Sequence, residues 1–410
     1  MSDKNPATNN PYAAFRIPTL MRYMLGNLLL QIGLGAQGLA IGWDIYLRTG
    51  RPLDLGLVGG VQAIPMLILS LPAGYLADRF SRRNVTAICV MGVSICSLGL
   101  AYVSARHGSI RLMYLLLFMD ASFATLQRPS AQSIFPLLVP TDILENAVKW
   151  QSSLFQIAAV AGPALGAIII TWSITAVYIT AAVFGIIYII LLLTLPIKSS
   201  VSVGRMSLQN LLAGARFVWK TKLLLGIISL DLFAVLLGGA VYLLPVFAKD
   251  ILHVGAHGLG LLRIAPAAGA FIVAVLLAHL PPMRNAGRAM FTAVAGFGLA
   301  TIVFGLSRNF ALSWIMLFLT GALDNISVVV RRTLMLKLTP DEMLGRVSAV
   351  NYVFIGSSNE IGGLESGLTA QYMTPKLSVV VGGIGTLLVV GIWSLAFPRL
   401  RNFGTLSDEG

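Results

Sequence analysis

The chain has 410 residues, of which 57% are hydrophobic and 11% charged, and a formal net charge of +13. That much apolar surface cannot be hidden in one soluble core, so lipid is its solvent. Apolar runs that are continuous rather than alternating exclude a β-barrel, their recurrence along the chain excludes a single-pass anchor, and no nucleic-acid module is present for the positive charge to serve.

Residues 1–19 read as a cytoplasmic tail, because Met1 to Pro18 is polar, carries only Lys4 and Arg16, and lacks a cleavable secretory pattern. Apolar runs then predict spans over 20–46, 55–77, 85–105, 111–135, 147–172 and 174–195, which make a first six-helix bundle over 20–195. Each run is long enough to cross about 30 Å of hydrocarbon as a helix. Span 1 places Asn27 and Gln31 four apart on one face, with Asp44 near its outer end beside Trp43, Tyr46 and Arg48. Span 2 runs into Gly74-Tyr75-Leu76-Ala77-Asp78-Arg79-Phe80-Ser81-Arg82-Arg83. Here Asp78, Arg79, Arg82 and Arg83 stand where helix ends expose unsatisfied backbone groups, so their contacts can exist in one conformation and bias access; topogenic charge alone is the other reading. In span 3, Cys89 and Cys96 lie seven residues apart, about 10 Å along one helix face, beyond disulfide reach, and read as packing residues. Span 4 carries Asp120 and, eight residues on, Arg128. Span 5 contains Gly162-Pro163-Ala164-Leu165-Gly166-Ala167, where small residues permit close helix contact and Pro163 permits bending.

Residues 196–222 form a polar linker, within which Ser207 to Lys220 has the spacing of an amphipathic helix lying on the inner membrane surface. Spans over 223–248, 256–280, 289–307, 311–335, 344–372 and 377–397 make a second bundle over 223–397, followed by a cytoplasmic tail over 398–410. Asp231 falls in span 7, Arg263 in span 8, Asp324 in span 10, and Glu360 and Glu365 in span 11. Acids inside hydrocarbon are expensive, so each should face protein or a water-filled cavity. Gln62, Gln156 and Asn359 read as polar glue between helices. His253 and His257 follow Asp250 in an outer loop, but Gly255 and Gly258 weaken a helical metal site, and no metal is expected.

With the amino terminus inside, 21 Lys and Arg fall in inner loops, tails and the inner halves of spans, seven in outer loops or at outer span ends, and Arg263 lies within span 8, which is the asymmetry the positive-inside rule requires. The halves repeat at a fixed displacement. Leu55-Gly56-Leu57 recurs as Leu259-Gly260-Leu261, Asp120 as Asp324, and Arg128 as Arg332, all 204 residues later, and a deletion of four then aligns Pro140 with Pro340. Two parallel six-helix repeats are the arrangement of carriers that rock around a central site. Asp120 and Asp324 each precede their arginine by eight residues, about 12 Å along the helix and too far for direct pairing. Each acid can therefore bind a substrate cation, exchange a proton, or hold a neighbouring helix through Arg263 or a polar side chain.

The Gly74 to Arg83 loop resembles the loop between helices 2 and 3 of the major facilitator superfamily, and the Gly162-Pro163 element resembles that in the fifth helix of its proton-coupled exporters, with Ala158 and Ala167 standing where glycine is usual. Together with Ser207 to Trp219 and Thr339-Pro340-Asp341-Glu342-Met343-Leu344-Gly345-Arg346-Val347, these segments resemble the enterobactin exporter group of that superfamily over nearly the whole chain. The loop equivalent to the first motif in the second half, Ala278 to Arg288, lacks the aspartate. The resemblance implies an all-α fold of twelve helices in two pseudo-symmetric bundles, with helices 1, 4, 7 and 10 lining the cavity. It also implies a monomeric carrier in the bacterial inner membrane with both termini cytoplasmic. Such a carrier exports a small organic molecule, siderophore or drug-like, by proton-coupled alternating access.

On this reading Asp120, Asp231, Asp324 and Glu360 are candidates for proton or substrate coupling. Asn27, Gln31 and Arg263 line the cavity, Gly162, Pro163 and Gly166 bend span 5, and Gly74 with the Asp78 cluster gates it. The chain has no nucleotide-binding loop, no zinc pair with a supporting acid and no nucleophile constellation, so neither enzymatic activity nor a cofactor is expected. Lipid or lysolipid translocation, or a receptor-like carrier fold that moves nothing, is the alternative class.

Overall fold

A computed structural model gives the fold and describes residues 12–196, 208–281, 283 and 285–404. The described residues form helices joined by short turns, without a strand. Six long helices come first: α1 (Pro18–Thr49), α2 (Pro52–Arg79), α3 (Arg82–Ala105), α4 (Ile110–Leu138), α5 (Leu144–Ile170) and α6 (Ile174–Leu193). The linker contributes α7 (Leu208–Lys220). Then follow α8 (Lys222–Leu237), the short turn α9 (Leu244–Val246), α10 (Gly255–His279), α11 (Ala286–Leu306), α12 (Phe310–Leu338), α13 (Asp341–Tyr372), α14 (Pro375–Ala396) and the short α15 (Pro398–Arg401).

Eleven segments are long and apolar enough to cross a membrane, with α8 to Ile251 counted as one. The twelfth is α13, 32 residues long. It is less apolar than the others, with Asp341, Glu342, Arg346, Glu360 and Glu365 and several Asn and Ser residues along it. With it the fold has the twelve crossings that the apolar runs predict.

The seventh crossing is not the single helix expected over 223–248. It stops at Leu237 and passes through Gly238-Gly239 into a 3-10 turn (Ala240–Leu243), α9 and a π-helical turn (Phe247–Ile251). Two adjacent glycines are poor helix formers. At Gly239 no side chain fits, because a Cβ would lie 2.7 Å from the carbonyl oxygen of Gly362 and 2.6 Å from Ser366 Oγ.

Contacts divide the chain into two units. One takes α1 to Ile41, then Ile68 onward through α6; the other takes Gly42–Leu67 together with α7 to α15. The segment joining α1 to α2 thus belongs by its contacts with the later helices. Each unit repeats one packing pattern. In the first, α3 lies against α4 and α6, and in the second its counterpart α11 lies against α12 and α14. The helix starts repeat as well: Ser109 and Asn309 cap α4 and α12 through the amides of Arg111 and Leu312, and Ser173 and Thr374 cap α6 and α14 through those of Ala176 and Leu377. A side-chain oxygen there satisfies one of the orphan amides of a helix start.

The outward faces are greasy. On α3, Ile88, Ile95 and Tyr102 are 60–68% exposed while the neighbouring Cys89 and Cys96 are 4% and 2% exposed. Seven-residue spacing aligns each set on one stripe, the apolar one turned outward and the small thiols inward. Only lipid makes such a surface stable. Linker helix α7 places Val218 in a core cluster with Leu224, Ile228, Met335, Val347 and Val350, so its apolar face is buried in the second unit, while Trp219 on its other side is exposed.

Candidate functional site

The polar groups inside the helices collect into separate clusters, each built within one unit. In the first unit, α4 brings Asp120 into the interior, where Gln37 of α1 donates from Nε2 to Asp120 Oδ1 at 3.4 Å. Ser97 of α3 in turn donates to Gln37 Oε1 at 2.6 Å. All three side chains are buried. The carboxyl group is thus held by neutral dipoles in a relay from α3 through α1 to α4. Gln37 is a residue that pattern reading passes over, since it sits in a glycine-rich apolar run six positions past Gln31 and off the face that Gln31 shares with Asn27. Asn27 and Gln31 are half-buried.

The Gly162-Pro163 element lies against α1. A Cβ on Gly162 would come within 2.9 Å of the Ile32 carbonyl oxygen, and one on Gly166 within 2.9 Å of Ala36 Cα. The helix runs on through Pro163 from Leu144 to Ile170. Its glycines therefore let two backbones touch.

At the end of α2, Gly74 is buried and Arg79 is exposed, hydrogen-bonded to the Tyr75 hydroxyl and lying over the Tyr75 and Phe80 rings. Arg82 Nη1 donates to the Ser133 carbonyl at 3.4 Å, and Arg83 Nη1 to the Leu195 carbonyl at 3.2 Å. These two arginines satisfy carbonyls near the ends of α4 and α6, inside their own unit, where a helix C-terminus favours positive charge. The Asp78 side chain lies outside the described residues.

The second unit is built differently. Asp231 of α8 forms a buried ion pair with Arg331 of α12. Beside it lies a small cavity lined by Asp231, Ala234, Val235, Phe297, Asp324 and Ser327. Asp231 and Asp324, which the sequence places on separate helices, thus share one cavity, and the cation beside them is Arg331, not Arg332 or Arg263. Arg331 is read from sequence only as one of several inner-side charges. Its neighbour Arg332 is the residue that matches Arg128 in the repeat.

Arg263 serves a third cluster. Its Nη1 donates to the Val241 carbonyl at 3.4 Å, in the turn that follows the break in the seventh crossing, and its charge acts on Glu360 and Tyr242. The Tyr242 hydroxyl donates to Glu360 Oε2. Glu360 therefore stands with the broken helix and α10, apart from the residues that line the Asp231 cavity. The stretch 42–67 joins the same unit through close approach. A Cβ on Gly59 would lie 2.5 Å from the Glu360 carbonyl oxygen, and one on Gly56 2.8 Å from Gly367 Cα. Nearby, the Tyr46 hydroxyl donates to Asp250, and Asp44 pairs with Arg48 at 2.7 Å.

Buried carboxylates inside apolar helices, in two repeats of six crossings, are the makings of a carrier rather than of a catalyst. A sequence profile for the Major Facilitator Superfamily matches residues 23–363. The chain is 28% identical to the enterobactin exporter EntS of Citrobacter koseri over 389 residues, 94% of this chain and 93% of the relative. It is 27% identical to the protein of the same name from Escherichia coli strain K12 over the same coverage. Among solved structures, the fold is similar to that of the nucleoside transporter NupG, with a TM-score of 0.72 at 16% identity, covering 94% of this chain and 100% of that one. It is also similar to a bacterial homologue of the iron transporter ferroportin in an inward-facing state, with a TM-score of 0.73 at 16% identity, covering 94% and 99%. The chain is a multi-pass membrane transporter of the Major Facilitator Superfamily.

Proposed function

We propose that this transporter is a proton-coupled exporter of a small organic molecule of the siderophore or drug-like class, working by alternating access in a bacterial inner membrane with both termini in the cytoplasm. The observation that carries the coupling is the pair of carboxyl groups at the same register of the two repeats, Asp120 and Asp324, each set inside a helix bundle. A carboxyl group in such a place can load a proton from one compartment and release it to the other as access alternates. The direction and substrate class are supported by the relatives, which are enterobactin exporters at 27–28% identity over 94% of the chain. The driving force suffices, since one charge crossing 100 mV supplies about 2.3 kcal/mol, roughly a fiftyfold gradient before any pH difference is added.

The test is uptake of enterobactin, of a cationic dye and of a lysolipid into inverted membrane vesicles with an acid interior. Enterobactin or dye uptake that collapses with a protonophore is expected, falling at least about tenfold in Asp120→Asn and in Asp324→Asn while protein remains in the membrane. Unchanged pH-dependent uptake in both variants removes these acids from the mechanism, and lysolipid uptake alone overturns the substrate class.

A further inference from the structure

The repeat displacement that pairs Asp120 with Asp324 also pairs Asn27 with Asp231 and Gln127 with Arg331, each 204 residues apart. The second unit therefore has an ion pair at two positions where the first has two neutral amides. Both units keep one further carboxyl at the repeat-related position. In the first unit Asp120 has the neutral Gln37 for a partner. In the second, Asp324 shares a cavity with Asp231, whose charge is already matched by Arg331.

Charge counting within that cavity is simple. Two carboxyl groups line it, one of them paired with the guanidinium of Arg331, and the other lining residues, from Ala234 and Val235 of α8, Val294 and Phe297 of α11 and Ser327 of α12, carry no charge. From α10, which also packs on α12, the approach is made by uncharged residues at Pro266 and Gly269, and Arg263 of that helix is engaged at Val241. Arg332 follows Arg331 on α12 but points about 100° away around the helix. Once Arg331 holds Asp231 as the anion, one excess negative charge remains for Asp324, which is half-buried, and a charge partly withdrawn from water without a partner is costly. A proton on Asp324 removes it.

We infer that the Asp231–Arg331 ion pair reserves Asp324 as the proton-exchanging carboxyl of this cavity. Asp231 and Arg331 are then positioning residues, acting through the charge that they deny to Asp324. Arg331 lies seven residues from Asp324 on nearly the same face of α12, and its guanidinium already extends to Asp231, which shares the cavity with Asp324, so once released it can turn to Asp324 instead. Naming the proton as the exchanged ion rests on the coupling proposed above.

The test needs no transport substrate. A hydrophobic carbodiimide, which reacts with protonated carboxyl groups, is applied to the full-length protein in liposomes, and modified residues are identified by mass spectrometry. Asp324 is expected to be modified and Asp231 spared. In Asp231→Asn, modification of Asp324 falls at least about tenfold as Arg331 is freed to pair with it. In Arg331→Gln, Asp231 becomes reactive. In the double variant Asp231→Asn/Arg331→Gln, which writes the first unit's neutral pair into the second, Asp324 regains its reactivity. Equal modification of Asp231 and Asp324 in the unsubstituted protein, or unchanged modification of Asp324 in Asp231→Asn, overturns the inference. If labelling follows the expected pattern while Asp324→Asn transports with unaltered pH dependence, the coupling proposal fails and the assignment of the protonated carboxyl stands.

Discussion

The first crossing of each repeat carries the same register of residues and a different structure. Helix α1 runs unbroken for 32 residues from Pro18 to Thr49, whereas its counterpart stops at Leu237 and continues as a 3-10 turn, a single α-turn and a π-turn. At the displacement of 204, Leu34-Gly35 faces Gly238-Gly239, and Asn27 faces Asp231. One additional glycine and one additional charge separate them. The break frees backbone groups, and Arg263 takes up the Val241 carbonyl directly beyond it. Irregular backbone at membrane depth survives only where protein supplies such partners. Around its membrane acid the first unit thus has neutral dipoles and a regular helix, the second an ion pair and an irregular one.

The largest expected effect breaks that comparison at the ion pair. Arg331→Gln alone leaves Asp231 buried without its counterion and is expected to lower stability by about 3–5 kcal/mol, whereas adding Asp231→Asn restores most of the loss, because a neutral pair avoids the burial of charge. Denaturant unfolding in detergent micelles checks both. Next in size is Gly238→Leu, which gives the seventh crossing the residue found in α1. Its Cβ would lie 2.6 Å from the Phe297 ring, so a loss of about 1–3 kcal/mol is expected. Smaller again is Ser97→Ala in the first unit, which removes the donor to Gln37 Oε1 and should cost about 1 kcal/mol. Asp120→Asn should change stability least, by under about 1 kcal/mol, since the amide oxygen still accepts from Gln37. Equal losses for Asp120→Asn and Arg331→Gln would erase the distinction between the units.

Much of the fold was legible because hydrocarbon demands long apolar runs, and twelve of them recur with a common displacement. Asp120 and Asp324 stood out for the same reason, an acid being conspicuous in such a run. Their partners were not legible. Gln37 looks like any polar residue in a helix until α1, α3 and α4 are seen to meet at it, and Arg331 sits at the charged end of α12, where topogenic charge explains it well enough. The repeat draws the eye to Arg332, the match of Arg128, but helix rotation gives the neighbouring Arg331 to Asp231 instead. The break in the seventh crossing was visible as Gly238-Gly239, yet glycine pairs are also tolerated in membrane helices, so hydropathy alone reads a continuous span. Arg82 and Arg83 carried a gate-like signature, and the carbonyls they meet, at Ser133 and Leu195, depend on where α4 and α6 end in space.

The seam between the 42–67 stretch and α13 is made where Gly56 meets Gly367 and Gly59 meets the Glu360 carbonyl. Main chain rests on main chain at those two points, and the Leu364 side chain of α13 lies on Gly60, which has none to interlock with it. Surfaces of that kind can part and rejoin without first withdrawing and re-seating rotamers, so the joint is smooth: tight when shut, and free of the ratchet that interdigitated leucines would impose on its opening.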